Sequence, residues 1–241
     1  MGTSTHYAAV LPGRDSPLGL ASWARELASV VSVSVNPPPY PDRDLPRGDG
    51  ATVLLLPGFL GGDWTMGRLR HFLESLGYRA EHAGIVFNPG PTAATLARID
   101  STLLRLGAER GAIHLVGQSI GGAFALALAH RHPQHVRSVV TLCTPLRFPV
   151  TTPLAPFVRA CAPLHTREWS EQVQQIAKPP AVAVTAIYSR DDGIVDWRQC
   201  LQDEALRCRN VHVSGAHSTM GSNPDAQIAV ALALETATAS S

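Results

Sequence analysis

Ile113-His-Leu-Val-Gly-Gln-Ser-Ile-Gly-Gly-Ala-Phe-Ala-Leu-Ala-Leu-Ala-His130 carries a short apolar run into a glycine-flanked serine and then straight into an alanine- and leucine-rich stretch. This order of residues reads as strand, tight turn and buried helix. Ser119 occupies the turn, in Gly117-Gln118-Ser119-Ile120-Gly121. Glycines two before and two after let strand and helix close around a residue in strained geometry, which makes the turn a nucleophile elbow. The helix that begins there aims its free amides and its dipole at any anion formed beside the serine. Gly122 lets that helix lie close to its neighbours.

The 241 residues, 45% hydrophobic and 16% charged, suffice for one α/β domain with a large core. A formal net charge of +1 without runs of like charge lacks the electrostatic footprint of nucleic-acid binding. The first residues show no basic segment followed by a long apolar core, and Pro12 and Pro17 break the stretch that follows. No run reaches about 18 apolar residues, so neither a secretion signal nor a membrane span is expected, and the expected location is cytoplasmic. Cys143, Cys161, Cys200 and Cys208 have neither CxxC spacing nor histidines at zinc-ligand spacing, so no metal is expected and the thiols are expected to be free.

Outward from the elbow, strands and helices alternate. Thr52-Val-Leu-Leu-Leu56 is apolar without alternation, the mark of a strand covered on both faces. Further strands are expected over 78–86, 111–116, 138–142, 181–188 and 210–213. Helices are expected from Asp63 as N-cap to about Leu76, from Pro91 to about Leu106, and after Asn223-Pro224. The expected fold is α/β, a mostly parallel central sheet with helices on both faces, and its active residues should gather in loops after the strand carboxyl ends.

Residues 1–50 are expected to form an N-terminal helix, with Leu20, Trp23, Leu27 and Val30 at helical spacing, followed by a proline-rich connector over Asn36–Pro46. The main domain is expected over 51–241. Within it, 146–178 breaks the alternation and is rich in proline and large apolar residues. A small helical lid over an apolar pocket fits this segment, and so does a pair of ordinary packing helices.

Serine needs an adjacent base at neutral pH, and the base needs a carboxylate to fix its tautomer. His217 follows the last strand in Ser214-Gly-Ala-His217 and is the best base, since His114 and His212 lie within strands and His130, His132 and His135 cluster at a helix end. Asp191, Asp192 and Asp196 follow the strand ending at Tyr188. Asp192 is the chosen acid, because Gly193-Ile194-Val195 returns the chain to the sheet, whereas Asp191 should face solvent and Asp196 should start a helix. The order Ser119, Asp192, His217 separates this plan from the two other main serine hydrolase plans. An oxyanion also needs amides already aimed at it. Ile120 should supply one and Phe59, in Pro57-Gly58-Phe59-Leu60-Gly61-Gly62, the other, with Leu60 as the alternate.

Pro57–Gly61, Gly117–Gly121, Tyr188–Val195 and Gly215–His217 together resemble the four signatures of a small bacterial lipase/esterase-like α/β-hydrolase, over about residues 51 to 235. The resemblance implies a serine esterase without metal or organic cofactor, with the first strands of the full fold reduced. Its Tyr-Ser-x-x-Asp-x-Ile-Val arrangement independently selects Asp192. One departure is Pro57, where many members have histidine. An apolar ester or acyl substrate is expected, with Phe59, Leu60, Leu146, Phe148, Leu154 and Phe157 as pocket walls. Alternatives are a thioesterase or acyltransferase on the same triad, or a binding protein for a small apolar ligand. Dehalogenase and epoxide hydrolase chemistry would want a carboxylate at position 119.

Overall fold

The computed structural model describes residues 20–147, 150, 152–203 and 207–238. Six strands, β1 (Thr52–Leu56), β2 (Arg79–His82), β3 (Ile113–Gln118), β4 (Val136–Leu142), β5 (Ala183–Tyr188) and β6 (Cys208–His212), form one sheet in the order β2-β1-β3-β4-β5-β6. Every neighbouring pair is parallel. β1 and β3 are buried along their whole length, which is why their sequences do not alternate. The register sets Leu56 beside Gly117, Gln118 beside Leu142, and Leu142 beside Ile187. The carboxyl ends of β1, β3, β4 and β5 therefore share one edge.

Helices cover both faces. α2 (Gly67–Ser75) and α7 (Pro224–Thr238) pack Leu69, Phe72, Leu73, Ala226, Val230 and Leu234 against Val53 and Leu55 of β1. α3 (Ala93–Arg110) and α4 (Ile120–Arg131) pack Ile99, Leu103, Phe124 and Leu128 on the opposite face, against Leu54 and Leu56. α4 is buried on nearly all sides, in keeping with its uniformly apolar composition.

Two local expectations change. The strand expected over 78–86 is only Arg79–His82, because Gly84 turns the chain at φ +75° and the Ile85 amide donates to the Asp63 carboxylate at 2.9 Å. Asp63 is thereby engaged across the loop rather than capping a helix of its own, and a 3₁₀ turn, Asp63–Met66, precedes α2. Elsewhere the capping signals act as such. The Thr92 hydroxyl accepts from the Thr95 amide at 3.1 Å to open α3, and the Asn223 side chain accepts from Ala226 at 3.0 Å to open α7.

Between β4 and β5 the insertion folds into α5 (Ala155–Cys161), a 3₁₀ turn (Ala162–Leu164) and α6 (Arg167–Ile176). α6 is a packing helix. It buries Trp169, Val173 and Ile176, and the Trp169 ring meets Phe124 edge-on at 5.1 Å. The element that approaches the active edge from outside the sheet is α1 (Leu20–Val35), which packs on the 3₁₀ turn His217–Ser222. The proline-rich connector behind it is also held, with Tyr40 stacked on Phe72 and Arg68 over the Tyr40 ring.

Candidate active site

Ser119 sits between β3 and α4 at φ +53°, ψ −128°, the backbone strain expected of an elbow. Three contacts show why the sequence is glycine-rich here. A Cβ on Gly117 would lie 2.3 Å from the Gly121 carbonyl carbon, one on Gly121 would lie 2.2 Å from the Leu56 carbonyl oxygen, and one on Gly122 would lie 2.0 Å from the Thr144 hydroxyl. The elbow is also tied to the next strand, since the Ser119 amide donates to the Leu142 carbonyl at 2.8 Å. Ile120 opens α4, where helix geometry leaves its amide without an intrahelical acceptor.

His217, which lines the same cavity as Ser119, meets Asp192. The Asp192 Oδ2 and His217 Nδ1 atoms are 2.7 Å apart, and both residues are buried. The other carboxylate oxygen, Oδ1, accepts from the amides of Ile194 and Val195, each at 2.8 Å. The turn after Asp192 thus fixes the carboxylate that faces the ring. Asp191 is exposed, and Asp196 caps the short turn that follows by accepting from the Arg198 amide at 3.0 Å. Burial opposes charging of His217. The Asp192 carboxylate, by charge and hydrogen bond, and the charge of Glu26 outweigh that burial and raise its pKa above the ordinary histidine value.

The other histidines have different settings. His114 lies within β3, with Nδ1 2.7 Å from the Ser138 hydroxyl, and burial lowers its pKa to about 4. His132 pairs with Asp100 at 3.0 Å on the far side of α4.

Four participants carry no local sequence signature. Glu26, on α1, is buried, and its carboxylate accepts from the amides of Gly193 (2.8 Å), His217 (2.8 Å) and Ser218 (2.9 Å). Gln118, the residue before the nucleophile, donates from Nε2 to the His217 carbonyl at 2.8 Å. Cys143 directly follows β4 at φ +50° with its thiol against Asp192, and burial pushes that thiol well above its usual range. Asn88 is buried beneath the 57–62 loop. Its Nδ2 donates to the Pro57 carbonyl at 2.9 Å, its amide donates to the Gly61 carbonyl at 2.7 Å, and its own carbonyl accepts from Leu60 at 2.8 Å. Asn88 thus holds the loop from beneath by its side chain and its backbone. The Leu60 amide is committed to this pairing, which leaves Phe59 rather than Leu60 as the candidate donor from the loop.

Ligand atoms of Cys143, Asp192 and His217 lie within 4.8 Å of one another. The Asp192–His217 pair at 2.7 Å is closer than two ligands about 2.0 Å from one tetrahedral zinc would stand. The cluster therefore reads as a carboxylate hydrogen-bonded to an imidazole rather than a metal cage.

Ser119 and His217 open onto one cavity of about 450 Å³. Its walls include Gly58, Phe59 and Leu60 from the β1 loop, Leu154 before α5, Ile194, and Trp23, Leu27, Val30 and Val33 from α1. Of the residues expected at the walls, Leu146 is instead buried in the core among Phe124 and Trp169, because the chain is still beside the sheet after β4. Phe157 is half exposed and stacks on Trp23 at 6.5 Å, backing a wall residue. Phe148 lies outside the described residues. α1, which precedes the residues expected to form the main domain, forms one side of this cavity.

Residues 51–163 match the sequence model of the family described as alpha/beta hydrolase fold. No curated protein matches the chain in sequence. Among solved structures, a metagenome-derived lipolytic enzyme from the work on LipS and LipT superposes with a TM-score of 0.59 at 17% identity, over 81% of this chain and 95% of that one. The thioesterase domain from the curacin biosynthetic pathway gives 0.56 at 17% identity, over 79% and 93%. A monoacylglycerol lipase of Paleococcus ferrophilus gives 0.55 at 16% identity, over 80% and 97%. At such identities the likeness is one of fold. With its parallel sheet, the helices on both faces and the family match through the elbow, the chain carries the α/β-hydrolase fold.

Proposed function

We propose that this protein is a serine hydrolase that cleaves carboxylic esters of apolar acids through an acyl-enzyme on Ser119. The observation that carries the reading is the buried 2.7 Å pairing of Asp192 with His217 on the same cavity as a serine held in elbow geometry. Asp192 holds the Nδ1 proton, so Nε2 is the basic nitrogen left to accept the Ser119 proton as Oγ attacks the carbonyl carbon. The amides of Phe59 and Ile120 stabilise the oxyanion, and His217 returns the proton to the leaving alkoxide. A water molecule, deprotonated by the same histidine, then releases the acid. The hydrolase fold, and the lipases and thioesterase that share it, support the chemistry at class level. Apolar walls from Phe59, Leu60, Leu154 and Ile194 support an apolar acyl group.

Hydrolysis of p-nitrophenyl esters of increasing chain length, beside Ser119→Ala, tests the proposal. The expected result is turnover with an optimum at one acyl length and at least about a 10³-fold loss in the variant. Turnover of acyl thioesters but not oxygen esters would make the protein a thioesterase. Equal rates for wild type and variant would refute the serine mechanism.

A further inference from the structure

We propose that Glu26 of α1 is a positioning residue of the active site, which holds the acid and base loops in register and adds negative charge to the environment of His217. The inference rests on the hydrolase reading of Ser119, Asp192 and His217, and it concerns a residue outside the 51–163 family match.

The geometry is specific. One buried carboxylate bridges two loops that follow different strands, taking the amide of Gly193, next to the acid, and those of His217 and Ser218, the base and its neighbour. A bond on each side fixes the separation of the loops, and that separation sets whether Asp192 meets His217 at 2.7 Å. α1 is seated closely enough to do this. A Cβ on Gly193 would lie 2.8 Å from both the Glu26 Cγ and the Ser22 carbonyl oxygen, so only glycine lets the helix down onto the acid loop. A second tie, the Ser29 hydroxyl 2.8 Å from that of Thr219, keeps the helix in place along the base loop.

Charge follows from the same placement. Among the described residues, the titratable groups facing His217 are Asp192 and Cys143 on the sheet side and Glu26 on the α1 side. Of the other packed elements, α2 places Arg68 on the cavity wall, engaged over Tyr40; the 63–66 turn holds Asp63 on the Ile85 amide; and Asp225 of α7 is exposed. Glu26 and Asp192 both favour the imidazolium that forms as Ser119 attacks.

Glu26→Gln tests this. A carboxamide keeps the size but has one acceptor oxygen, so its NH₂ opposes one of the three amides. The expected result is a folded protein in which kcat falls about tenfold while KM changes less than about twofold. The acid limb of kcat/KM should also move to lower pH, because loss of the negative charge makes His217 harder to protonate. Glu26→Asp, which keeps the charge but is one methylene short, should lose kcat with the acid limb in place. Unchanged kcat and an unchanged acid limb in Glu26→Gln, with only a lower Tm, would overturn the proposal and leave Glu26 a structural cap. Should Glu26→Gln not fold, Gly193→Ala displaces α1 from the acid loop and is expected to lower kcat similarly; wild-type kcat there would overturn the proposal. Proton NMR of the His217 Nδ1–H separates the two readings, since it needs no turnover. If wild type proves inactive, the hydrolase reading falls, while a low-field signal and titration identical in wild type and Glu26→Gln would independently refute the role of Glu26.

Discussion

In the proposed mechanism, the chemistry turns on the proton held between Asp192 and His217. Asp192 is shaped for it, because Oδ1 is occupied by the Ile194 and Val195 amides and only Oδ2 faces the ring. Asp192→Asn keeps this shape but places an NH₂ or a weaker acceptor against Nδ1, so the ring loses the tautomer that presents a basic Nε2. A fall in kcat of roughly 10³–10⁴-fold is expected, measured by ester hydrolysis. The sign of the pH effect follows from the raised pKa of His217. Wild-type kcat/KM should rise through an acid limb lying above the ordinary histidine value of 6.5, and in Asp192→Asn that limb should move to lower pH. A limb in the same place for both proteins would remove Asp192 from the role.

At the scale of elements, the loops after β1 and β2 form one unit. Asn88 holds the 57–62 loop by its side chain and by two backbone pairings, and its Oδ1 accepts from Gly90 at 3.0 Å. Asn88→Ala leaves the Pro57 carbonyl and the Gly90 amide without these partners. That should cost about 1–3 kcal/mol of stability by denaturant titration. It should also lower kcat about tenfold or more by letting the Phe59 amide drift, with KM much less affected. Wild-type kcat in a destabilised Asn88→Ala would dissociate this loop from the chemistry. The sequence could announce the elbow because glycine, serine and glycine act within five residues, and it could point to the Asp192–His217 pair because each follows its own strand. It could not announce Asn88, which reads as an ordinary Asn-Pro turn until its partner 31 residues away is known. Glu26 is harder still, reaching 167 and 191 residues along the chain to its loop amides. Leu146 failed as a pocket residue for a related reason, since apolar composition does not say which way a segment between two strands faces.

Across the whole molecule, two cores separated by the sheet carry the fold, and one polar group is buried within it at a cost that depends on pH. His114 is buried in β3 against Ser138, and its pKa is lowered to about 4. The unfolded chain takes up this proton near pH 6.5, whereas the folded protein resists until about pH 4. Stability from this group is therefore complete above pH 6.5 and lost as pH falls toward 4, by about 3 kcal/mol at most. Denaturant titrations of wild type and His114→Gln between pH 7 and 4 should show a shallower decline in the variant, and parallel declines would exclude His114 as the source. Among the described residues no helix is long and apolar enough to cross a membrane. The sheet and its helix layers were legible because unbroken apolar runs alternate with capped helical patterns. The placement of α1 was not, since an amphipathic helix shows which face is buried but not what buries it.

The catalytic expectations depend on the Ser119 Oγ being the atom that takes the acyl group. Intact-mass and peptide-level mass spectrometry after treatment with an alkyl fluorophosphonate measures this directly. One adduct should form on the peptide containing Ser119, faster in wild type than in Asp192→Asn, and none in Ser119→Ala. A folded wild-type protein left unmodified, or one modified at another residue, would contradict the account.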